Sequence, residues 1–142
     1  MSHKPRVLVV DDEPAIRALV AKIVERAGLP VDTAADGAEA IEKMAHTRYA
    51  VVVLDLMMPR VDGFGVVEYV REHINPKPAL IVATAGDIHA VRSLDGTTVH
   101  SVVRKPFEID VLGELIVAAA NLVSQERKQA QTDKVVRFRR PD

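Results

Sequence analysis

The 142-residue sequence contains no cysteine, which excludes disulfide bonds, thiol catalysis and cysteine-ligated metal centres. Its longest apolar runs, such as Tyr49–Leu54, are far shorter than the ~20 residues that a membrane-spanning helix needs. The sequence also has no large excess of positive or negative charge, because 19 basic and 20 acidic residues give a formal net charge of −1. Such a chain is not built as a whole to coat nucleic acid or an anionic membrane. Since Met1–Arg6 is polar and has no signal-peptide pattern, we expect a cytoplasmic protein.

Several catalytic motifs are missing as well. The sequence has no Gly-x-x-x-x-Gly-Lys-Ser/Thr phosphate loop, which excludes a P-loop nucleotidase. The stretch 63–65 (Gly-Phe-Gly) lacks a third glycine and does not follow the first predicted strand, so dinucleotide binding is poorly supported. The histidines do not have the spacing of a metal-binding motif. They are His3, His46, His73, His89 and His100.

Two kinds of segment alternate along the chain. Short apolar runs rich in β-branched residues predict strands at Val7–Val10, Val31–Ala34, Tyr49–Leu54, Leu80–Ala83 and Thr98–Val103. Apolar positions at steps of three and four predict helices at Pro14–Ala27, Ala38–Ala45, Phe64–His73, Ile88–Leu94 and Phe107–Val123. Strands that alternate with helices are typical of parallel βαβ units. The sequence therefore predicts an α/β fold: a doubly wound five-stranded parallel sheet with helices on both faces.

The composition changes after Val123, where residues 124–142 hold six basic against three acidic side chains. We expect one domain over residues 1–123 and a C-terminal helical extension with a basic tail over residues 124–142. Gln125–Gln131 can continue the last helix, whereas Val135–Pro141 is not expected to pack by itself. No helix–turn–helix follows, so we expect a partner-docking or solvated tail and do not expect nucleic-acid binding.

Polar residues follow four of the predicted strands. Asp11 and Asp12 follow the first, Asp55 the third, Thr84 the fourth and Lys105 the fifth. Taken singly, each has an ordinary explanation: an acidic pair before a helix is usually an N-cap, and the others are usually turn or surface residues. Ligand sites in such sheets lie at the carboxyl ends of the strands. The placement of all these polar residues after strands therefore favours a ligand-binding site over the separate explanations.

This set of residues is suited to phosphoryl chemistry. Carboxylates held close together repel one another, and a divalent cation relieves the repulsion. Oxygen ligands without histidine or cysteine select a hard ion such as Mg²⁺. A lysine and a threonine can then contact phosphoryl oxygens while one carboxylate acts as the nucleophile. Asp55 is the best candidate, because it follows the most apolar strand and would be held rigidly.

The segments that carry these residues resemble the receiver domain of bacterial two-component response regulators. The resemblance covers Pro5–Val123. It is carried by Val-Leu-Val-Val-Asp-Asp-Glu-Pro (7–14), Val-Val-Leu-Asp-Leu-Met-Met-Pro-Arg-Val-Asp-Gly (52–63), Ala-Thr-Ala (83–85) and Arg-Lys-Pro-Phe (104–107). It implies a flavodoxin-like strand order, 2-1-3-4-5.

The resemblance also implies a role for each acidic residue. Asp55 corresponds to the phosphoacceptor. Asp12 and Asp55 correspond to direct Mg²⁺ ligands, together with the backbone carbonyl of Met57, and Asp11 is expected to act through water. The cofactor implied is Mg²⁺.

Other positions match the family's switching and loop-shaping residues. Thr84 corresponds to the hydroxyl that moves to the phosphoryl group, and Lys105 to the lysine that pairs with that group. The resemblance further implies a cis peptide bond before Pro106, and it matches Pro59 and Gly63 to residues that shape the loop after the phosphorylation site.

The partners implied are a sensor histidine kinase or a histidine phosphotransfer protein as phosphodonor. We expect a stand-alone receiver whose output is a protein contact, a homodimer or onward phosphotransfer, with no membrane involved. The last helix together with Gln125–Gln131 is our candidate for that contact.

Some positions depart from the family pattern. Val102 stands where an aromatic residue is common, and His100 could replace it only by position. The predicted short helix within Asp87–Gly96 is unusually brief. Met57 and Gly86 occupy positions that tune the lifetime of the aspartyl phosphate, and neither can position an attacking water. We therefore expect slow autodephosphorylation.

Two alternatives remain open at this point. A phosphatase of the haloacid dehalogenase kind uses similar chemistry, but it needs Asp-x-Asp, whereas Leu56 and Met57 follow Asp55. The other alternative is a degenerate receiver that binds protein without being phosphorylated. The complete set of acidic, hydroxyl and lysine residues favours the phosphoacceptor.

Overall fold

The computed structural model describes residues 4–58, 62–85 and 96–139, with side chains described up to residue 130. The strands are β1 (Val7–Val10), β2 (Val31–Ala34), β3 (Val51–Asp55), β4 (Ala79–Thr84) and β5 (Val99–Arg104). The helices are α1 (Pro14–Arg26), α2 (Gly37–His46), α3 (Gly63–His73) and α4 (Ile109–Arg139). The predicted short helix Ile88–Leu94 lies outside the described residues.

The five strands form one parallel sheet in the order β2-β1-β3-β4-β5. This confirms the predicted doubly wound sheet and the strand order that the resemblance implies. Leu54 of β3 pairs with Val10 of β1, and Asp55 pairs with Ala83 of β4. The carboxyl ends of the central strands are therefore level with one another, and the residues that follow them share one edge of the sheet.

The sheet has a hydrophobic layer on each face. Alternate strand residues such as Val9 and Val53 pack with α1 and α4, while Leu8 and Leu54 pack with α2 and α3. Strands β1, β3 and β4 are buried on both faces, as the apolar runs predict. Burial alternates along β5 because β5 is an edge strand.

The last helix is longer than the sequence predicts. It begins at Ile109 instead of Phe107 and continues to Arg139 without interruption, and the helical expectation for Gln125–Gln131 is confirmed. The division of the chain after Val123 stays a prediction. Neither α4 nor any other described helix combines the length and apolar character needed to cross a membrane.

An arginine attaches the extension of α4 to the sheet. Arg127 Nη2 donates a hydrogen bond of 3.1 Å to the carbonyl of Tyr49, shortly before β3. Burial lowers the pKa of Arg127, and the positive charge of Arg48 adds to this effect. The first turn of α4 beyond Val123 is therefore fixed to the end of the sheet opposite the acidic residues.

Candidate functional site

Three carboxylates and a lysine meet at the carboxyl edge of the sheet. Asp11 and Asp12 follow β1, Asp55 ends β3, and one carboxylate oxygen from each lies within 4.8 Å of the others. Lys105, directly after β5, places its Nζ 2.9 Å from Asp11 Oδ2 and 3.5 Å from Asp55 Oδ2. The structure thus brings together four of the residues that the sequence analysis singled out.

The loop after β1 holds Asp11 in place. Asp11 Oδ1 accepts a 3.0 Å hydrogen bond from the backbone N–H of Glu13, and the Arg17 guanidinium donates to the Asp11 carbonyl at 2.8 Å. The N-cap residue of α1 is Glu13, and no side chain caps that helix. Neither Asp11 nor Asp12 is an N-cap, so the ordinary explanation for the acidic pair does not apply. Sequence reasoning missed Arg17, six positions after Asp11 on α1.

Asp55 is fixed by its strand and by the backbone that follows it. Its side chain is 6% exposed, and its Oδ1 accepts a 3.1 Å hydrogen bond from the Met57 N–H. Burial raises the pKa of Asp55 to about 6, and the charge of Asp11 adds to the increase. The Met57 N–H and the Lys105 ammonium act in the opposite direction without cancelling it. The ionised carboxylate is therefore held in an unfavourable environment.

Lys105 is placed between the two buried carboxylates. Burial by itself lowers the pKa of Lys105, but the hydrogen bond to Asp11 and the charge of Asp55 outweigh it, so the net shift is upward. The peptide bond between Lys105 and Pro106 is cis, which confirms the expectation. The backbone N–H of Lys105 donates to the carbonyl of Thr84 at 2.9 Å, which ties the lysine to the end of β4. The Thr84 side chain is itself buried there.

Gly63 allows α3 to begin directly against the end of β3. A Cβ atom at this position would lie 2.4 Å from Leu56 Cα and 2.6 Å from the Asp55 carbonyl oxygen, closer than a real Cβ can approach backbone. The Gly63 N–H donates instead to the Leu56 carbonyl at 3.0 Å. Only glycine permits this approach, which shapes the segment after Asp55. Pro59, the other expected loop-shaping residue, lies outside the described residues.

The donor set fits a magnesium ion. Three carboxylates and one ammonium group leave the cluster negatively charged, and its carboxylate ligands are oxygens, which a hard cation prefers. Asp11 and Asp55 are buried, while Asp12 is more accessible to solvent. An open side suits Mg²⁺, which usually keeps several water ligands and binds a phosphate oxygen.

Comparison with known proteins agrees with this arrangement, since a model of the response regulator receiver domain matches residues 7–117. The chain belongs to this family. Over 108 residues the receiver is 38% identical to the transcriptional regulatory protein TcrA of Mycobacterium tuberculosis, covering 75% of this chain and 42% of TcrA. Over 139 residues it is 30% identical to the transcriptional regulatory protein ResD of Bacillus subtilis, covering 96% of this chain and 58% of ResD.

A solved structure extends the comparison to the fold. The response regulator TrrA of Thermotoga maritima, crystallised in complex with Mg²⁺ and BeF, is 34% identical and superposes with a TM-score of 0.72. The match covers 81% of this receiver and 98% of the TrrA chain. The receiver spans 42% of TcrA and 58% of ResD, so those relatives contain further sequence. The family match makes the chain a signalling module of two-component systems.

The departures expected on β5 are visible in the receiver. The Val102 side chain is 46% exposed, and the His100 side chain is also exposed, with its Nδ1 2.8 Å from the Ser101 hydroxyl. His100 therefore points to solvent and does not take the place of a buried aromatic ring. Met57 is 64% exposed beside Asp55. Gly86 lies outside the described residues.

Proposed function

We propose that this receiver takes a phosphoryl group onto Asp55 from a phosphohistidine, presented by a sensor histidine kinase or a histidine phosphotransfer protein. The observation that carries the proposal is the meeting of three carboxylates with Lys105 at the carboxyl edge of the sheet. TrrA was crystallised with Mg²⁺ and BeF, and its 34% identity supports the same cofactor here.

The proposed metal ligands are the carboxylates of Asp12 and Asp55 and the backbone carbonyl of Met57, with Asp11 acting through water. When bound, Mg²⁺ supplies positive charge that offsets the carboxylates and the phosphoryl oxygens. Lys105 adds a second positive charge beside Asp55, since its Nζ already lies 3.5 Å from Asp55 Oδ2. Both charges favour the approach of an anionic phosphoryl group to an anionic nucleophile.

The proposed reaction is an in-line displacement at phosphorus. A carboxylate oxygen of Asp55 forms the new P–O bond while the P–N bond of the phosphohistidine breaks, and its electron pair returns to the imidazole nitrogen. Lys105 pairs with the transferred group, and the Thr84 hydroxyl donates a hydrogen bond to it. In this proposal the receiver catalyses only its own phosphotransfer and a slow autodephosphorylation.

The proposed output is a contact with another protein or a homodimer, carried by α4 with Gln125–Gln131. TcrA and ResD are named as transcriptional regulators, but the receiver spans only part of each. A chain shortened after Val123 is expected to lose partner binding or to change its oligomeric state. An unchanged result in both measurements would remove the helix from the proposal. A cytoplasmic location remains a prediction from the sequence.

Intact-mass spectrometry tests the phosphoacceptor directly. The receiver is incubated with Mg²⁺ and a small-molecule phosphodonor, beside Asp55→Asn and beside Asp62→Asn, a matched change at an exposed N-cap. We expect one added phosphoryl group on the parent and on Asp62→Asn, and none on Asp55→Asn. If the mass of the parent does not increase, the remaining interpretation is a receiver that binds protein without being phosphorylated.

The lifetime of the modified protein is a separate prediction. Because Met57 offers no polar side chain to orient an attacking water, and Gly86 offers no side chain at all, phosphate loss is expected to be slow. Following the added mass over time after removal of the phosphodonor measures the rate. Complete loss within seconds in the presence of Mg²⁺ contradicts the prediction.

A further inference from the structure

Sulfur in this chain is confined to four methionines, since cysteine is absent. Two of the methionines that the structure describes are buried: Met44 on α2 is 7% exposed, and Met58 is 9% exposed. Both pack in the hydrophobic layer between the sheet and helices α2 and α3. Met57, in contrast, is 64% exposed. Among the described residues, Met57 therefore carries the sulfur atom that a dissolved oxidant reaches most readily.

Met57 also lies next to the proposed phosphoacceptor. It stands two residues after Asp55, and its backbone N–H donates a 3.1 Å hydrogen bond to Asp55 Oδ1. The side chain of Met57 consequently begins beside this carboxylate and lies largely in solvent. Water that attacks a phosphoryl group on Asp55 must come from the same open side, since the Asp55 side chain is otherwise buried.

We propose that Met57 is a site of oxidation by hydroperoxides, and that its sulfoxide shortens the lifetime of the aspartyl phosphate on Asp55. The inference rests on the proposed function, because it needs a phosphoryl group on Asp55. It gives the receiver a second input, the concentration of peroxide, which acts on the phosphoryl group after its transfer.

The oxidation step transfers one oxygen atom to sulfur. A lone pair of the Met57 thioether attacks the hydroxyl oxygen of the hydroperoxide, so the S–O bond forms while the O–O bond breaks. The hydroxyl proton passes to the departing oxygen, which leaves as water from hydrogen peroxide or as an alcohol from an organic hydroperoxide. Sulfur is oxidised and the peroxide is reduced, so the step needs no further reactant.

Oxidation changes what the Met57 side chain offers to water. The thioether is a weak hydrogen-bond acceptor, whereas the sulfoxide is polar and its oxygen accepts hydrogen bonds. An acceptor beside Asp55 holds a water molecule where it can attack phosphorus. Because a neutral acceptor orients water without taking its proton, we expect about tenfold faster hydrolysis, below the roughly 10²–10⁴-fold that a positioned base contributes.

Peroxide treatment of the whole chain tests the proposal. The peroxide is removed, and the protein is then phosphorylated with Mg²⁺ and a small-molecule phosphodonor. Tandem mass spectrometry of peptides locates the added oxygen and separates Met57 from the adjacent Met58, and intact mass follows the loss of the phosphoryl group. Met57→Leu removes the proposed site, and Met44→Leu is the matched control at a buried position. Each protein is compared with its own untreated sample.

We expect Met57 to gain oxygen at least about tenfold faster than Met44 and Met58, because it is exposed and they are buried. The oxidised parent and oxidised Met44→Leu should lose the phosphoryl group about tenfold faster than their untreated samples. Treated and untreated Met57→Leu should lose it at the same rate. The urea unfolding midpoint of the parent should not change on oxidation, because the modified side chain is exposed.

Oxidation of Met44 or Met58 as fast as Met57 overturns the proposal. So does an unchanged lifetime after complete oxidation of Met57, an equal acceleration in Met57→Leu, or a lower unfolding midpoint of the oxidised parent, which would indicate damage to the core. A parent that takes up no phosphoryl group removes the proposed function and the lifetime effect with it. A parent that is phosphorylated but whose lifetime does not respond to oxidation overturns this inference alone.

Discussion

Replacing Asp55 by asparagine is expected to stabilise the metal-free receiver, although the change removes the proposed phosphoacceptor. Burial raises the pKa of Asp55 from 3.8 to about 6, and the charge of Asp11 contributes in the same direction. Between these two pH values the folded protein binds more protons than the unfolded chain, so stability falls as the pH rises. With 1.36 kcal/mol for each pKa unit, the full penalty above pH 6 is about 3 kcal/mol.

Asparagine removes most of this penalty because it is uncharged and nearly the same shape. Its amide oxygen can still accept the hydrogen bond from the Met57 N–H, but the attraction between Asp55 and Lys105 is lost. We therefore expect a gain in the free energy of unfolding of about 1–3 kcal/mol at pH 7.5. With a urea slope of about 1–3 kcal/mol per molar, the unfolding midpoint should rise by roughly 1 M.

Urea unfolding in EDTA, at pH 7.5 and at pH 4.5, measures the effect. At pH 4.5 the folded protein keeps Asp55 mostly protonated, and the penalty falls to about one third of its value at pH 7.5. Asp62→Asn is the control, since Asp62 is an exposed N-cap and asparagine caps a helix equally well. An Asp55→Asn protein less stable than the parent at pH 7.5, or a gain that does not change with pH, would refute the reasoning.

Three further predictions concern the same edge of the sheet. Mg²⁺ at ten times its dissociation constant should raise the free energy of unfolding of the parent in urea by about 1.4 kcal/mol and hardly change that of Asp55→Asn. An equal increase in both proteins would contradict a metal site that includes the Asp55 carboxylate. Lys105→Met removes the only positive charge within 4 Å of Asp55 among the described residues, so the mass gain from a phosphodonor should be lost. It should also raise the pKa of Asp55 further in an NMR titration, and an unchanged pKa would count against the ion pair. Gly63→Ala should lower the free energy of unfolding in urea by more than about 2 kcal/mol, because its Cβ would meet backbone atoms. Gly96→Ala, with open space around it, should leave the free energy of unfolding nearly unchanged. Equal losses in the two variants would contradict the close approach at Gly63.

The sheet could be predicted from the sequence because its central strands are apolar on both faces. The runs Val7–Val10 and Val51–Leu54 are almost fully buried, and the alternation with helical segments indicates the parallel arrangement. The strand order came from the family resemblance, since apolar patterns do not specify neighbours. The length of α4 could not be read from its apolar stripe, which ends near Val123. The segment beyond Val123 contains neither glycine nor proline, so nothing in its backbone ends the helix before Arg139.

The residues that form the site could be predicted because they follow strands, but the contacts that these residues make with one another could not. Lys105 lies closer to a carboxylate oxygen of Asp11 than to one of Asp55, which depends on the exact positions of three strands. Arg17 holds Asp11 through a backbone carbonyl, and no motif marks that contact. The close approach at Gly63 depends on where α3 meets β3 in space. Such contacts arise from tertiary packing and leave no periodic trace in the sequence.

The long helix α4 has an angular consequence. From Val123 to Arg139 it advances about 24 Å at 1.5 Å per residue, and each residue turns it by about 100°. Because Arg127 holds its first free turn against the sheet, the rotation is counted from a fixed origin. Inserting one residue after Ala130 would swing the far end a quarter of a circle or more, whereas an insertion of seven residues, nearly two whole turns, would lengthen the helix and almost restore its bearing. The direction in which the far end of the helix presents its side chains to a contacting molecule is therefore set by the number of residues between Arg127 and that end.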